Sequence, residues 1–161
     1  MNLSIMRTHE LNMRLAPIAL AMGVDTLALD DEGSITLISD EVEILIEADE
    51  DSDSVFLTAW LGSAPPVHAT NMLEQMLRAN VLTQQTAGAA LGMDRELNAV
   101  VLSLRLSGAE LRAEDSTFQE RLMAFMEAAE YWAFMISQDG QDATSSEAGE
   151  TQKIHLSTYR G

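Results

Sequence analysis

The sequence contains no cysteine and few basic residues, and both shortages limit what the chain can do. Without cysteine there is no disulfide bond and no thiolate metal site, and such a chain suits a reducing compartment. Lys and Arg number 9 against 26 Asp and Glu, which gives a formal net charge of −17. Nucleic acid and anionic lipid should repel this chain, because binding them requires a basic surface. The charge either keeps the protein soluble or attracts a basic partner.

Long hydrophobic runs are also missing. No segment reaches the ~18 apolar residues of a membrane span, and the N-terminus lacks the charged start and apolar run of a secretory signal. We therefore expect a cytoplasmic protein without membrane insertion. The length of 161 residues suits one domain, assigned to residues 1–138, followed by a polar and flexible tail at residues 139–161. The tail segment "KIHLSTY" is a weaker candidate for an added edge strand.

Catalytic and metal-binding signatures are absent from the sequence as well. It has no G-x-S-x-G motif, no glycine-rich phosphate loop and no plausible serine triad. The acids of "DEDSDS" alternate like the start of a calcium loop, but Ser54 and Trp60 stand where that loop needs glycine and glutamate. His9, His68 and His155 form no two-ligand helical site. We predict no catalytic residue, no metal and no cofactor, and an enzyme is the least favoured class.

Apolar periodicity predicts an α+β fold in the order helix, antiparallel meander, helix, β-hairpin, helix, with one twisted antiparallel sheet and three helices. Pro17 should kink the first helix without interrupting its apolar stripe, and Gly23 should close it. Short loops between strands favour antiparallel pairing. The predicted elements are a helix at about Thr8 to Met22, strand segments "TLALD", "SITLISD", "VEILIEAD" and "SVFLTAWLG", a helix at about Val67 to Leu82, a hairpin of "AALGMD" and "AVVLSLRL", and a helix at about Ser116 to Ser137. The first two strand segments, joined by a turn at Asp30–Gly33, could also count as one bent strand.

Apolar side chains occur on both faces of the predicted meander. In "VEILIEAD" one face is wholly apolar, yet Leu45 lies between two glutamates on the other face. The next strand repeats this pattern with Phe56 and Trp60, and the strand before it does so with Ile38. Such a second face is either covered by one of the protein's own helices or forms a binding patch rimmed by acids.

The helix "NMLEQMLRANVL" is more apolar than one contact requires. A helix on one sheet needs roughly 100° of apolar arc, so a wider arc indicates two contacts, one to its own sheet and one to a neighbouring subunit. Asn80 lies near the middle of the arc, either as a C-terminal cap or paired with its copy across a two-fold axis. The apolar residues, which span about 160°, are Ala69, Met72, Leu73, Met76, Leu77 and Ala79.

These stretches together resemble a known family. With "LALDDEGSITLISDEVEILIEAD", "MLEQMLRANVL", "GAALGMDRELNAVVLSLRL" and "FQERLMAFMEAAEYW", the chain resembles the class I chaperones of type III secretion systems, the Tir-chaperone (CesT-like) family, over about residues 8–137. The matching motifs are the L-x-L-D-x-x-G turn, the leucine-rich helix ending in A-N, and the G-x-x-L-x-x-D…L-x-L hairpin.

The resemblance implies a cytoplasmic α+β homodimer that binds the N-terminal chaperone-binding region of a type III secreted effector in extended form and keeps it soluble and export-competent. It implies no catalysis, and any ATPase coupling would come from the secretion apparatus ATPase as a further partner. The alternative is a non-catalytic regulatory or adaptor module for a folded protein partner. By position, the implied dimer contacts are Met72, Leu73, Met76, Leu77 and Asn80. The implied effector contacts are Leu11, Leu15, Ile18, Ile38, Leu45, Phe56 and Trp60.

Overall fold

The computed structural model describes residues 3–49, 51–66, 70–112 and 115–147. Within these ranges, only the backbone is described for residues 3–7, 115–117 and 140–147. The predicted order of elements is confirmed, with two short additions after α2 and β5. The elements are α1 Leu3–Met22, β1 Ser34–Ser39, β2 Val42–Asp49, β3 Ser54–Ser63, α2 Thr70–Leu82, a single 3₁₀ turn Gln84–Thr86, β4 Ala90–Asp94, β5 Ala99–Ser107, α3 Gly108–Arg112 and α4 Asp115–Glu147. Val67, His68, Ala69 and the tail from residue 148, which includes His155 and "KIHLSTY", lie outside the described residues.

The five strands form one antiparallel sheet in the order β1-β2-β3-β5-β4. The hairpin of β4 and β5 therefore joins the meander through β5, and β1 and β4 are the two edge strands. A register shift between Trp60 and Gly62 marks a bulge at the end of β3, where Gly62 adopts a φ of 136°. The predicted α+β class and antiparallel sheet are confirmed.

The core lies between one face of this sheet and the helices α1 and α4. Alternate residues of β2 and β3, such as Ile44 and Leu57, are fully buried there together with apolar side chains of both helices. The predicted buried face of the last helix is confirmed, and Trp132 donates its indole N–H to the Gln85 carbonyl at 3.0 Å. The α4 residues on this face are Phe118, Leu122, Phe125, Ala129, Trp132 and Ile136.

Helix α1 begins earlier than predicted, at Leu3 instead of Thr8, and ends as predicted at Gly23. Gly23 has a φ of 70°, and the Val24 N–H donates to the Ala19 carbonyl at 3.0 Å, which is the pattern of a left-handed helix terminator. Pro17 lies within the helix.

The segment "TLALD" does not form a strand, and this part of the prediction is wrong. Its backbone is anchored to α1 instead, because the Leu29 N–H donates to the Asn12 side chain at 2.9 Å. The turn that follows is as predicted: Asp30 accepts from the backbone N–H groups of Glu32 at 3.0 Å and Ser34 at 2.9 Å. The Gly33 φ of 80° completes the turn.

Helix α4 is longer than predicted and continues past Ser137 to Glu147. Gly140 does not stop it, because a single interior glycine costs a helix only about 1 kcal/mol relative to alanine. The segment 139–161, which was predicted to be a flexible tail, therefore begins within α4.

The short helix α3 was not predicted, although its capping signal is present in "SGAE". Ser107 and Glu110 form a reciprocal capping box: the Ser107 N–H donates to the Glu110 carboxylate at 2.8 Å, and the Glu110 N–H donates to the Ser107 hydroxyl at 3.3 Å. Arg112 then binds Asp53 through two bonds of 2.7 and 2.9 Å. A Cβ at Gly108 would overlap the Asp53 carboxylate, so a larger residue there would displace this side chain.

Candidate functional site

The sheet face turned away from α1 and α4 carries the apolar side chains that strand alternation predicted. In the register, one row across β1, β2, β3 and β5 contains Ile38, Glu43, Trp60 and Val101. The adjacent row contains Thr36, Leu45, Thr58 and Ser103, and the next contains Ser34, Glu47, Phe56 and Arg105. We call this surface the open face.

The described helices do not cover the open face. The Ile38 side chain is 69% exposed, and Leu45, Phe56 and Trp60 are half-buried only. The buried side chains of α1 and α4 pack on the opposite face, together with the strand residues that alternate with these four. Cover by the protein's own helices, the first of the two predicted arrangements, is therefore not found within the described residues.

The other three predicted effector contacts, Leu11, Leu15 and Ile18, are not on the surface. Their exposed fractions are 2%, 0% and 1%, because they form the stripe by which α1 packs on the sheet. That part of the prediction is wrong for this conformation. Among the described side chains of α1, the exposed large apolar residues are instead Met13, Leu20 and Met22. Met13 and Leu20, seven residues apart, share one helical face that could have been found in the sequence.

The edge of the sheet at β1 is open beyond its first residue. The Ala48 N–H donates to the Gly33 carbonyl at 2.9 Å, so every second residue from Gly33 faces β2 and the residues between them face outward. Asp30 occupies the first outward position, since Ser34 donates to its carboxylate and accepts from its backbone N–H at 2.8 Å. Thr36 and Ile38 are the next outward residues, and no described residue bonds to their backbone groups.

The opposite edge, at β4, is bonded at Leu91 by Asn80 of α2. The Leu91 N–H donates to the Asn80 side-chain oxygen at 2.7 Å, and the Asn80 side-chain nitrogen donates to the Leu91 carbonyl at 3.0 Å. Leu91 thus finds in one amide the two bonds that a sixth strand would supply. Asn80 lies within α2, which continues to Leu82, so its predicted role as a C-terminal cap is wrong. Its pairing with a copy across a two-fold axis stays a prediction.

The wide apolar arc of α2 divides into a buried and an exposed half. Met72 and Met76 are only 2% and 5% exposed because they pack into the core of the same chain, so their assignment to a dimer interface is wrong. Leu73 is half-buried, whereas Leu77 is 68% exposed and Val81 is 81% exposed. Val81, together with the exposed Leu82, was missed, although its spacing of four residues from Leu77 places it on the same stripe.

Asp30, Glu110 and Arg112 have shifted pKa values, and in each the bonds that hold the end of an element favour the charged form. The Ser34 backbone N–H lowers the pKa of Asp30. The Ser107 backbone N–H lowers the pKa of Glu110, and the hydrogen bond to Asp53 raises the pKa of Arg112. Each shift therefore reflects hydrogen bonds that hold a turn or the end of a helix.

The part of the chain that the structure describes contains no candidate metal cluster and no candidate membrane-spanning helix. In residues 3–49, 51–66, 70–112 and 115–147, no three His, Asp or Glu side chains are grouped as they would be to hold a metal ion. Over the same residues, no helix has the length and apolar character needed to span a membrane.

Comparison with known proteins places this geometry in a family. The model of the Tir chaperone protein (CesT) family matches residues 14–133. A protein of Chlamydia pneumoniae is 37% identical over 120 residues, which cover 71% of this chain and 86% of that protein.

Solved structures share the fold at lower identity. The ExsC–ExsE complex contains a chain that is similar with a TM-score of 0.64 and 23% identity, covering 83% of this chain and 95% of that one. The HopA1–SchA chaperone–effector complex gives a TM-score of 0.61 and 17% identity over 80% and 96%. The ExoU–SpcU complex from the type III secretion system of Pseudomonas aeruginosa gives 0.57 and 16% over 76% and 93%.

Proposed function

Since the chain belongs to the Tir chaperone protein (CesT) family, we propose that it is a chaperone that binds the N-terminal region of a type III secreted effector in extended form and keeps it soluble and competent for export. Two of the similar folds come from complexes described as chaperone with effector or as part of a type III secretion system. This chaperone is cytoplasmic and not an enzyme. It needs no ATP site, because binding alone does the work, and any ATPase would belong to the secretion apparatus.

The observation that carries the proposal is the continuity of the open face with the open edge of β1. A client strand beside β1 bonds to the outward backbone groups of Thr36 and Ile38. Alternate client side chains then extend the rows that contain Ile38, Leu45 and Trp60. Backbone bonds supply affinity without regard to sequence, and the apolar side chains of the open face favour apolar residues of the client.

The acidic charge of the chain fits the same role. A net charge of −17 favours encounter with a basic client segment and opposes contact between two chaperones at their open edges.

We further propose a homodimer that forms through the exposed stripe of α2. Leu73, Leu77 and Val81 follow one another at four-residue spacing, and Leu77 and Val81 lie almost fully in solvent in the single chain. Exposed leucine and valine at helical spacing are typical of a surface that packs on a second helix. A dimer has two client sites. Once a client is bound to one copy, its effective concentration at the site of the other copy is raised, which strengthens binding overall.

The client surface is tested by co-expression with the product of the neighbouring gene. We expect a soluble complex with the unmodified chain and a loss of capture with Leu45→Glu, because a charge on the open face removes an apolar contact. The control is Met123→Glu, which places the same charge at an exposed apolar residue of α4. Normal capture by Leu45→Glu would exclude the open face.

The state of the captured protein separates a chaperone from an adaptor. Hydrogen exchange should show that the bound N-terminal segment of the client is extended, with protection confined to the residues in contact. A client that stays globular when bound would favour the adaptor function.

The dimer is tested by light scattering at micromolar concentration. We expect the mass of two chains for the unmodified protein and of one folded chain for Leu77→Glu, since Leu77 is exposed and its substitution leaves the core intact. Arg78→Ala, on the same helix, should remain dimeric. A dimeric Leu77→Glu protein would place the interface elsewhere.

A further inference from the structure

A groove lies at the end of the sheet where the β1–β2 turn, the end of β3 and the second half of α4 meet. Its volume is about 520 Å³, and its walls include the aromatic side chains of Trp60 and Phe134. Phe134 is 61% exposed, so it contributes little to the core of the chain. A second groove of about 350 Å³ is also lined by Trp60. The indole Nε1 is buried and has no hydrogen-bond partner among the described residues.

The rim of the groove is acidic. Asp40, Glu41 and Glu130 line the first groove, and Glu41 and Glu43 line the second. The described lining residues of both grooves include no Lys, Arg or His. A ligand that enters here meets aromatic surface surrounded by carboxylates, which is the environment that a cation with an apolar stem prefers.

The turn that carries two of these carboxylates is built at a conformational cost. Asp40 and Glu41 have φ angles of 44° and 72°, and a turn of this kind favours glycine at its second position. Glu41 occupies that position instead. Glycine would relieve the backbone and remove the carboxylate from both grooves.

We propose that this groove binds an arginine side chain of the client. The guanidinium stacks on the Trp60 indole and bonds to the Glu41 carboxylate, and the methylene stem lies against Phe134. Arginine fits better than lysine, because its planar, weakly hydrated guanidinium stacks on aromatic faces and forms bidentate hydrogen bonds with carboxylates. Charge complementarity with a chain of net charge −17 supports a cationic occupant over an apolar one. This inference rests on the proposed function, since it names one residue type that the captured segment supplies.

The experiment uses blocked tripeptides as probes and the full chain labelled with nitrogen-15. The two tryptophan indole resonances report separately, because Trp132 is buried and donates to the Gln85 carbonyl whereas Trp60 lines both grooves. We expect Ac-Ala-Arg-Ala-NH₂ at millimolar concentration to shift the Trp60 resonance and leave that of Trp132 in place. The lysine probe should bind about fivefold more weakly, and the leucine probe should produce no shift.

The decisive variant is Glu41→Gly. It should fold at least as well as the unmodified chain, because glycine adopts this φ without strain, and it should lose at least about fivefold in affinity for the arginine probe. Phe134→Ala should weaken the same probe. Glu120→Gln, at an exposed residue of α4 that lines neither groove, is the matched control and should bind normally.

Equal binding of the leucine and arginine probes would overturn the proposal, and so would unchanged arginine affinity in Glu41→Gly. The titration needs no effector, so its failure leaves the co-expression result standing. Conversely, binding of the arginine probe by a chain that captures no effector would reject the proposed function and retain the arginine site.

Discussion

The two edges of the sheet offer the same backbone groups, and side chains make them different. At β4 Asn80 of α2 bonds the outward groups of Leu91, and only Met93 remains as an outward residue within the strand. At β1 only Ser34 is bonded, by Asp30, and the outward groups of Thr36 and Ile38 remain open. An open edge is a hazard that proteins normally remove. The longer open interval at β1 supports the proposal that this edge receives the client.

The open edge must also be protected from the protein's own copies. The chain does this through charge, since acids surround the open face and the net charge of −17 applies to every copy. Two open edges of identical chains repel each other, whereas a basic or neutral segment meets no such barrier.

The largest expected effect concerns the edge at β4. Asn80→Ala removes both partners of Leu91 and leaves a backbone N–H and a C=O without bonds at a half-buried site, which should lower the free energy of unfolding by about 1–3 kcal/mol. Urea denaturation measures this loss. Glu74→Ala, which breaks only the exposed pair with Arg78, should cost no more than about 0.5 kcal/mol. A loss below that limit for Asn80→Ala would show that water replaces the amide and that the two edges are equivalent.

The next effect compares the edges directly with one proline at each. Thr36→Pro and Met93→Pro both replace an outward N–H, so neither removes a bond within the sheet. Thr36→Pro should weaken binding of the co-purified client about tenfold, because a client strand loses a bond and meets the ring. Met93→Pro should bind as the unmodified chain does. Titration calorimetry with the purified client measures both affinities. Weak binding by Met93→Pro together with normal binding by Thr36→Pro would place the client at β4.

The smallest effect concerns the Asp30 cap at the start of the open edge. The Ser34 N–H lowers the pKa of Asp30 from its ordinary value of 3.8, so the folded carboxyl titrates below the unfolded one. Its stabilising contribution is complete above the unfolded pKa and is lost as the pH falls through the folded pKa. Thermal unfolding should therefore separate the unmodified chain from Asp30→Ala at pH 6, and the difference should vanish below the lowered pKa.

Much of this architecture could be predicted from the sequence, because alternation and helical periodicity are local. Leu45 between two glutamates already indicated a second apolar face. The assignment of Leu11 to an effector contact came from its position in the family resemblance, and periodicity alone could not show whether its stripe packs inward. Asn80 was wrongly assigned as a cap because its partner, Leu91, reaches it only through tertiary packing of α2 beside β4. The end of α4 was missed because the continuation of a helix through Gly140 depends on the stability of the whole helix and not on the local sequence.

The Asp30 cap and the β1–β2 turn enclose only a short stretch of usable edge. Between Ser34, which is bonded, and Asp40, where the chain turns, just Thr36 and Ile38 face outward, and they lie about 7 Å apart at strand spacing. Backbone bonds over this interval depend on the length of the extended segment and not on its side chains. For the proposed pairing with β1, a client needs only a few consecutive residues that extend without proline, a requirement that segments of unrelated sequence can meet.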